Sequence, residues 1–222
     1  MIITIDGPAA SGKSSIATEI CKRLKMVPLK TGLLYRAVAY ILVQELDKTI
    51  NIETPNELSI NDLNFIKDIT YEFTDGIAHV LFKGKDVTEK LSFSSIDQIA
   101  SIVSANKNVR ELLLDVQRQI ATKYNIVADG RDCGSVVFPS ADYKFYLTAT
   151  AEARAKRVMA DVARKAETRT LEDVQKDIEL RDKRDKERDV APLIVPSDAI
   201  TIDNTNLDFE QTVQEFLKHI KI

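Results

Sequence analysis

The spacing of apolar residues changes several times along this chain, and each change predicts an element. Ile2 to Ile5 is a short run, apolar enough to be buried on both faces, which predicts an inner strand of a parallel sheet. A glycine-containing loop follows at once. Beyond it Ile16, Ala17, Ile20, Cys21 and Leu24 recur at helical spacing and predict an amphipathic helix. Met26 to Thr31 is a short extended piece containing Pro28, and Leu33 to Leu46 reads as a strongly apolar helix. A strand, loop, helix and extended segment in this order predict an α/β fold with a parallel sheet flanked by helices.

The pattern shifts between about Thr49 and Lys90. Ile69 to Phe73 and Ala78 to Phe82 read as strands, and the Asp75-Gly76 pair between them is a hairpin signal; Lys83-Gly84-Lys85 makes a further turn. An antiparallel hairpin inside an α/β chain predicts a small inserted subdomain. Ser95 to Tyr124 reads as helical, with Val109, Leu112, Leu113, Val116 and Ile120 on one side. Asn125 to Ala128 and Lys144 to Thr148 are two more buried strands. Ala151 to Arg188 reads as helical and densely charged, Ala199 to Ile202 as a last strand, and Phe209 to Ile220 as a closing amphipathic helix. There are no internal repeats and no low-complexity segments.

Composition narrows the class. With 44% hydrophobic and 29% charged residues the chain is globular, not disordered. Its 222 residues fit one domain or one domain with a sizeable insertion. The balance of 31 basic and 34 acidic residues leaves a formal charge of −3, without the bulk positive field of a general nucleic-acid binder. The tyrosines and phenylalanines form no base-stacking stripe, so no nucleic-acid partner is expected. Two cysteines, Cys21 and Cys133, make neither a disulfide framework nor a zinc site and read as small buried hydrophobes. His79, on a hairpin strand, and His219, near the end of the closing helix, read as surface residues, which argues against histidine chemistry. No apolar run reaches membrane-spanning length, and the start has no basic region of a signal peptide, so a soluble cytoplasmic protein is expected.

The glycine loop carries the first chemistry. Gly7-Pro8-Ala9-Ala10-Ser11-Gly12-Lys13-Ser14 matches G-x-x-x-x-G-K-[ST], with a buried strand before it and a helix after it, as polyphosphate binding requires. Backbone N–H groups and the positive helix end supply the anion site, Lys13 reaches the β- and γ-phosphates, and the Ser14 hydroxyl ligates Mg²⁺. Ser15 extends the ATP-binding set. Two classes stay open at this point: a kinase acting on a small acceptor, or a regulatory GTPase. A GTPase carries an Asn-Lys-x-Asp motif, and the nearest string, Asn106-Lys107-Asn108-Val109, lacks the aspartate. A kinase needs a second anion site. Thr31 and Arg36 lie near one helix start, and the strand Asn125 to Ala128 runs into Asp129-Gly130-Arg131-Asp132. Ligands of open parallel sheets sit beyond the carboxyl ends of strands, so Asp129 belongs where a carboxylate faces Mg²⁺, with Arg131 and Asp132 in the same crevice.

Together these strings resemble the bacterial cytidylate kinases, P-loop nucleoside monophosphate kinases, over essentially the whole chain. The matching residues are the N-terminal Ile3-Thr4-Ile5-Asp6 with the phosphate loop, Thr31-Gly-x-x-Tyr-Arg36, Asp86-Val87-Thr88, Ala100-Ser101, Val109-Arg110, Asp129-Gly-Arg-Asp132, Gly134, and Val136-Val137-Phe138-Pro139. Arg181-Asp182-x-Arg184-Asp185-x-x-Arg188 and Ala191-Pro192-Leu193 complete them. The resemblance implies one kinase domain over 1–222, an enlarged nucleoside monophosphate-binding insertion at about 37–105 and a mobile helical lid at about 151–170. It implies a monomer that passes the γ-phosphate of ATP to CMP or dCMP with Mg²⁺; UMP or dTMP kinases are the nearest alternatives, and a nucleotide-dependent switch is the alternative outside enzymes.

The resemblance also implies roles. Thr31, Arg36, Arg131 and Arg188 would hold the acceptor phosphate; Ser101, Arg110 and Asp132 would read the base; Arg181 and Asp185 would hold the sugar. Arg181, Asp185 and Arg188 fall at i, i+4 and i+7, on one helix face, whereas Lys183, Lys186 and Glu187 read as solvated neighbours. Catalysis would rest on Lys13, Asp129, Arg131 and a lid arginine. Arg154, Arg157, Arg164 and Arg169 are the candidates there; Arg157 is taken as catalytic, with Arg154 one turn away. Ser92 departs from the family, which commonly has arginine there, and Cys133 replaces an apolar residue.

Overall fold

In the computed structural model, which describes residues 1–48, 58–160 and 169–221, the apolar runs become strands. These are β1 (Ile2–Asp6), β2 (Val27–Lys30), β3 (Ile69–Thr74), β4 (Ile77–Phe82), β5 (Lys85–Asp86), β6 (Ile126–Gly130), β7 (Tyr143–Thr148) and β8 (Ile200–Asp203). The helices are α1 (Lys13–Leu24), α2 (Thr31–Tyr40), α3 (Ser94–Val103), α4 (Lys107–Lys123), α5 (Ala151–Ala160), α6 (Leu171–Glu187) and α7 (Phe209–His219). Five strands form a parallel sheet in the order β2-β6-β1-β7-β8, and β3-β4-β5 form a separate antiparallel sheet. The expected α/β architecture is therefore the observed one. No helix among the described residues is long and apolar enough to cross a membrane.

Alternation along the inner strands divides the core. Ile3 and Ile5 of β1 and Val127 of β6 face α1 and α7, where they pack with Ile16, Ile20, Phe145 and Phe216. Ile126 and Ala128 face the other way, into a larger cluster with Leu34, Val38, Leu113 and the hairpin residues Val80 and Phe82. The hairpin shares this core with the main sheet and is also pinned to its edge. Tyr71 Oη accepts from Lys30 N at 3.0 Å and donates to the Pro28 carbonyl at 3.2 Å. Pro28, which has no N–H to donate, stands on the edge strand β2, where a proline is tolerated. Asp75 and Gly76 both take positive φ (53° and 75°), the primed turn that matches strand twist.

Three helical expectations need correction. The segment read as one helix from Ser95 to Tyr124 breaks at Asn106, whose side chain caps α4 by accepting from Val109 N at 3.0 Å. Apolar periodicity resumes past the break, so periodicity alone hides it. Likewise Ala151 to Arg188 is not one helix: Thr170 starts α6 afresh through a capping box with Asp173. Residues 161–168, which fall in the lid expected at about 151–170 and include Arg164, lie outside the described residues. The helix read as Leu33 to Leu46 starts at Thr31, runs regularly to Tyr40 and ends in a wide π-type turn over Ile41–Glu45.

The register places the site. Asp6 stands beside Gly130 and Tyr146, and Lys30 beside Asp129, so the carboxyl ends of β1, β2, β6 and β7 end at one level. The phosphate loop leaves β1 there at Gly7, where a methyl would stand 2.0 Å from the Leu147 carbonyl oxygen. Gly7→Ala is therefore expected to cost at least about 2 kcal/mol of unfolding free energy in urea denaturation. Gly32→Ala, at a helical glycine with open space around it, serves as the control and should cost nothing. Equal stability of the two variants would show that the seat against Leu147 does not fix the loop.

Candidate active site

The loop is shaped to receive an anion. Ala10 (φ 57°) and Gly12 (φ 95°) take left-handed backbone, which turns successive N–H groups toward one concavity. Among the described residues, the N–H groups of Ala10 and Gly12 meet no protein acceptor. Helix α1 begins at Lys13 with no side-chain cap and no acidic residue in its first turn, so its positive end is left for a ligand. Lys13 is buried and donates to the Pro8 carbonyl at 2.6 Å and to Ser11 Oγ at 3.2 Å. Burial, and then the charge of Arg131, hold its ammonium well below the ordinary range.

Beside it stands Asp129, at the end of β6. Ser14 Oγ donates to Asp129 Oδ2 at 2.5 Å, while Asp129 Oδ1 is buried without a hydrogen-bond partner among the described residues. Burial pushes this carboxyl up, against the Ser14 bond and the Lys13 charge. A hydroxyl and a carboxylate with a spare oxygen make a donor set suited to Mg²⁺, which takes one or two protein oxygens and completes its shell with phosphate and water. Across the strand end Thr31 Oγ1 donates to the Asp129 carbonyl at 2.8 Å. In this conformation that hydroxyl ties α2 to β6.

The residues expected to form a second anion site lie against the first cluster. Asp132 is gripped from two sides, by Arg110 of α4 and by Arg188 Nη2 at 3.2 Å. The Arg110 guanidinium lies over the Tyr35 ring, 5.4 Å from its centroid, and donates to the Ser104 carbonyl at 2.9 Å. Arg131 Nε donates to Asp185 Oδ2 at 2.6 Å. Burial pushes the Asp185 carboxyl up, but Arg131, Arg181 and Arg188 together hold it below the usual carboxylate range. Arg36 pairs with Asp97 and donates to the Leu91 carbonyl at 3.0 Å. Arg181 Nε is buried with no partner among the described residues. Burial and the Arg131 charge lower the Arg181 guanidinium, and burial and Arg110 lower that of Arg188. Cations placed in this way favour an incoming anion. Ser101 is half-buried on α3, at the same end of α3 and α4 as Arg110. Lys183, Lys186 and Glu187 are exposed, as expected.

The two described arginines of α5, in the segment expected to form a lid, stand differently. Arg157 is held by Asn204, donating to its Oδ1 at 3.0 Å and to its carbonyl. Arg154 is buried and turns to the phosphate loop, donating to the Ala9 carbonyl at 2.8 Å and pairing with Asp182 at 2.6 Å. Ser92 is exposed at the end of a short helical turn. Cys21 and Cys133 are buried, in keeping with their reading as small hydrophobes.

Sequence reasoning missed several residues. Asp6 is buried and accepts from Cys133 N at 2.8 Å and Gly134 N at 2.7 Å, fixing the turn after β6; burial raises its carboxyl to about 6, against those two bonds. Asn204 Nδ2 donates to the Ser11 carbonyl at 3.2 Å. Asp182 accepts from Ala9 N at 2.9 Å. Asp182 was visible as i−3 to Asp185; Asn204 had no signal, since its partners are distant in sequence.

Comparison with known proteins agrees with this geometry. The family model described as cytidylate kinase matches residues 3–222. A cytidylate kinase of Bdellovibrio bacteriovorus is 38% identical over 228 residues, covering 100% of this chain and 98% of that protein. One from Caldicellulosiruptor saccharolyticus is 39% identical, covering 97% and 93%. Among solved structures, an uncharacterized protein from Eubacterium ventriosum superposes with a TM-score of 0.53 at 14% identity, covering 99% of this chain and 98% of that one, which is a likeness of fold alone. A match along the whole sequence, on a fold that sets a second cation cluster against the phosphate loop, places this chain in the cytidylate kinase family.

Proposed function

We propose that this protein transfers the γ-phosphate of ATP to CMP, giving ADP and CDP, and that it also accepts dCMP, within pyrimidine nucleotide metabolism. The observation that carries the reading is Asp132 held between Arg110 and Arg188, with Arg131 close enough to Lys13 to lower its ammonium. Donor and acceptor phosphates would thus meet at one strand edge. The loop N–H groups and Lys13 hold the ATP phosphates. Arg36, Arg131 and Arg188 hold the acceptor phosphate through guanidinium forks. Arg110, Asp132 and Ser101 read the base, and Arg181 and Asp185 the sugar. Ser14 and Asp129 would hold Mg²⁺, which when bound neutralises charge on the phosphate oxygens. An acceptor phosphate oxygen attacks the γ-phosphorus in line as the bond to the ADP oxygen breaks. That phosphate is already ionised at neutral pH, so no general base is needed, and catalysis is positioning plus charge stabilisation. Thr31 and Arg157 would join by leaving the Asp129 carbonyl and Asn204. Both sites are built from one chain, which supports a monomer acting on small molecules.

Base choice follows from donors and acceptors. Cytosine presents an N4 amino donor beside an N3 acceptor; uracil reverses both. A carboxylate between two guanidiniums offers only acceptors, and Arg110 offers only donors, so both oppose uracil. A release assay for ADP across CMP, dCMP, UMP and dTMP tests this. CMP should exceed UMP in kcat/KM by up to roughly 10⁴-fold. Asp132→Ala should narrow that ratio by lowering CMP efficiency much more than UMP efficiency. Equal wild-type rates with CMP and UMP would overturn the base assignment in favour of a broader pyrimidine kinase.

Deoxycytidine monophosphate lacks only the 2′-hydroxyl, which the phosphate and base contacts do not use. Turnover of dCMP is expected, with any deficit against CMP shrinking in Arg181→Ala because that residue is assigned to the sugar. Inactivity toward dCMP would show that sugar contacts dominate positioning.

A further inference from the structure

The phosphate loop is gripped from behind by residues outside it. Ala9 has both of its backbone polar groups taken by one ion pair: its N–H donates to Asp182 Oδ1 at 2.9 Å, and its carbonyl accepts from Arg154 Nη1 at 2.8 Å. Arg154 and Asp182 pair at 2.6 Å, and Arg154 Nε donates to the Ala149 carbonyl at 3.0 Å, so this guanidinium spans three acceptors. Arg154 is 5% exposed and Asp182 7%. Ala10, the next residue, packs on the small apolar cluster of Ala155, Val174 and Ile178 between α5 and α6. A loop that carries Ala10 and Gly12 in left-handed backbone keeps that shape only where its surroundings impose it. The contacts of the ion pair fall on Ala9 and Asn204 holds the Ser11 carbonyl, while the N–H groups of Ala10 and Gly12 are left free of protein acceptors among the described residues.

We propose that Arg154 and Asp182 are positioning residues for the donor site: their ion pair fixes Ala9 and so aims the following N–H groups at the ATP phosphates. Arg154 then acts through the loop and is not the arginine that touches the transferred group. Asp182 and Asp185 stand three residues apart on α6, one on the donor loop and the other on Arg131, so a single helix sets both sites. The proposal rests on reading the glycine loop as the ATP site.

The test is calorimetric titration with a non-hydrolysable β,γ-imido analogue of ATP plus Mg²⁺, and separately with CMP. It uses wild type, Asp182→Asn, Arg154→Lys and, as a control, Lys13→Ala. Asp182→Asn keeps the shape and an acceptor for Ala9 N–H but removes the ion pair. Arg154→Lys keeps the charge, yet a point ammonium cannot span three acceptors. Each should weaken the ATP analogue by roughly ten-fold or more, the loss of a charge-assisted contact, with CMP affinity unchanged. Arg154→Lys retains the buried pair and carries the test if Asp182→Asn does not fold. Unchanged analogue affinity in the folded variants, with Lys13→Ala weakened, would overturn the positioning role and leave the ATP site standing. Equal weakening of analogue and CMP would also overturn it, as a general loss of structure. Wild-type affinity in Lys13→Ala would instead overturn the reading of the loop as the ATP site.

Discussion

Everything in this molecule bends to one constraint: positive side chains must be held close together, out of water, at the carboxyl ends of a parallel sheet. Lys13, Arg181 and Arg188 are lowered by burial and then by neighbouring guanidiniums, as cations are when they wait for an anion. The aspartates answer this. Asp97 pairs with Arg36, Asp132 with Arg110 and Arg188, and Asp185 with Arg131. Each guanidinium assigned to the acceptor phosphate or the base is thus held in place by a carboxylate, whereas Arg157 is held by Asn204. Such preorganised donors cost no reorganisation when charge develops on a substrate.

Buried ion pairs contribute little net stability, because desolvation offsets their attraction. The fold must therefore come from elsewhere, and it comes from the two apolar clusters on either face of the sheet. This division of labour explains the placement of the polar residues. Those of the site gather at the carboxyl ends of the strands and on the elements that follow, away from Ile3, Ile5, Val127 and Phe145; Thr4 and Lys144 are the buried polar residues within β1 and β7. It also explains why backbone groups do so much of the work. Asp6 fixes the turn after β6 through two N–H groups, and Asn204, Arg154 and Asp182 fix the phosphate loop through its carbonyls and one N–H.

Much of this was legible in the residues. Inner strands announce themselves because burial on both faces leaves a mostly apolar run, as in Ile2 to Ile5, where Thr4 is the polar exception, and in Phe145 to Leu147. Asp75-Gly76 named its own turn, since few pairs accept positive φ twice. The phosphate loop was readable because close backbone approach leaves no room for a side chain at Gly7. The family was readable from Asp129-Gly-Arg-Asp132 with the later arginine-aspartate cluster, and the family match agrees. Single side chains that redirect backbone were not readable. Asn106 starts a new helix inside an unbroken apolar rhythm, and the spacing of Asp182 from Asp185 does not say that it holds Ala9. Arg157 looked like its neighbour Arg154, yet one binds Asn204 and the other binds Ala9, a difference made entirely by tertiary contact.

The central claim is that the crevice beside the phosphate loop is built for a cytosine nucleotide. A crystal structure of the protein grown with CMP tests this most directly. The account predicts the cytosine N4 amino group on Asp132 and its N3 on Arg110, with the phosphate among Arg36, Arg131 and Arg188. A pyrimidine turned away from Asp132, or a phosphate bound outside the reach of those three arginines, would contradict it.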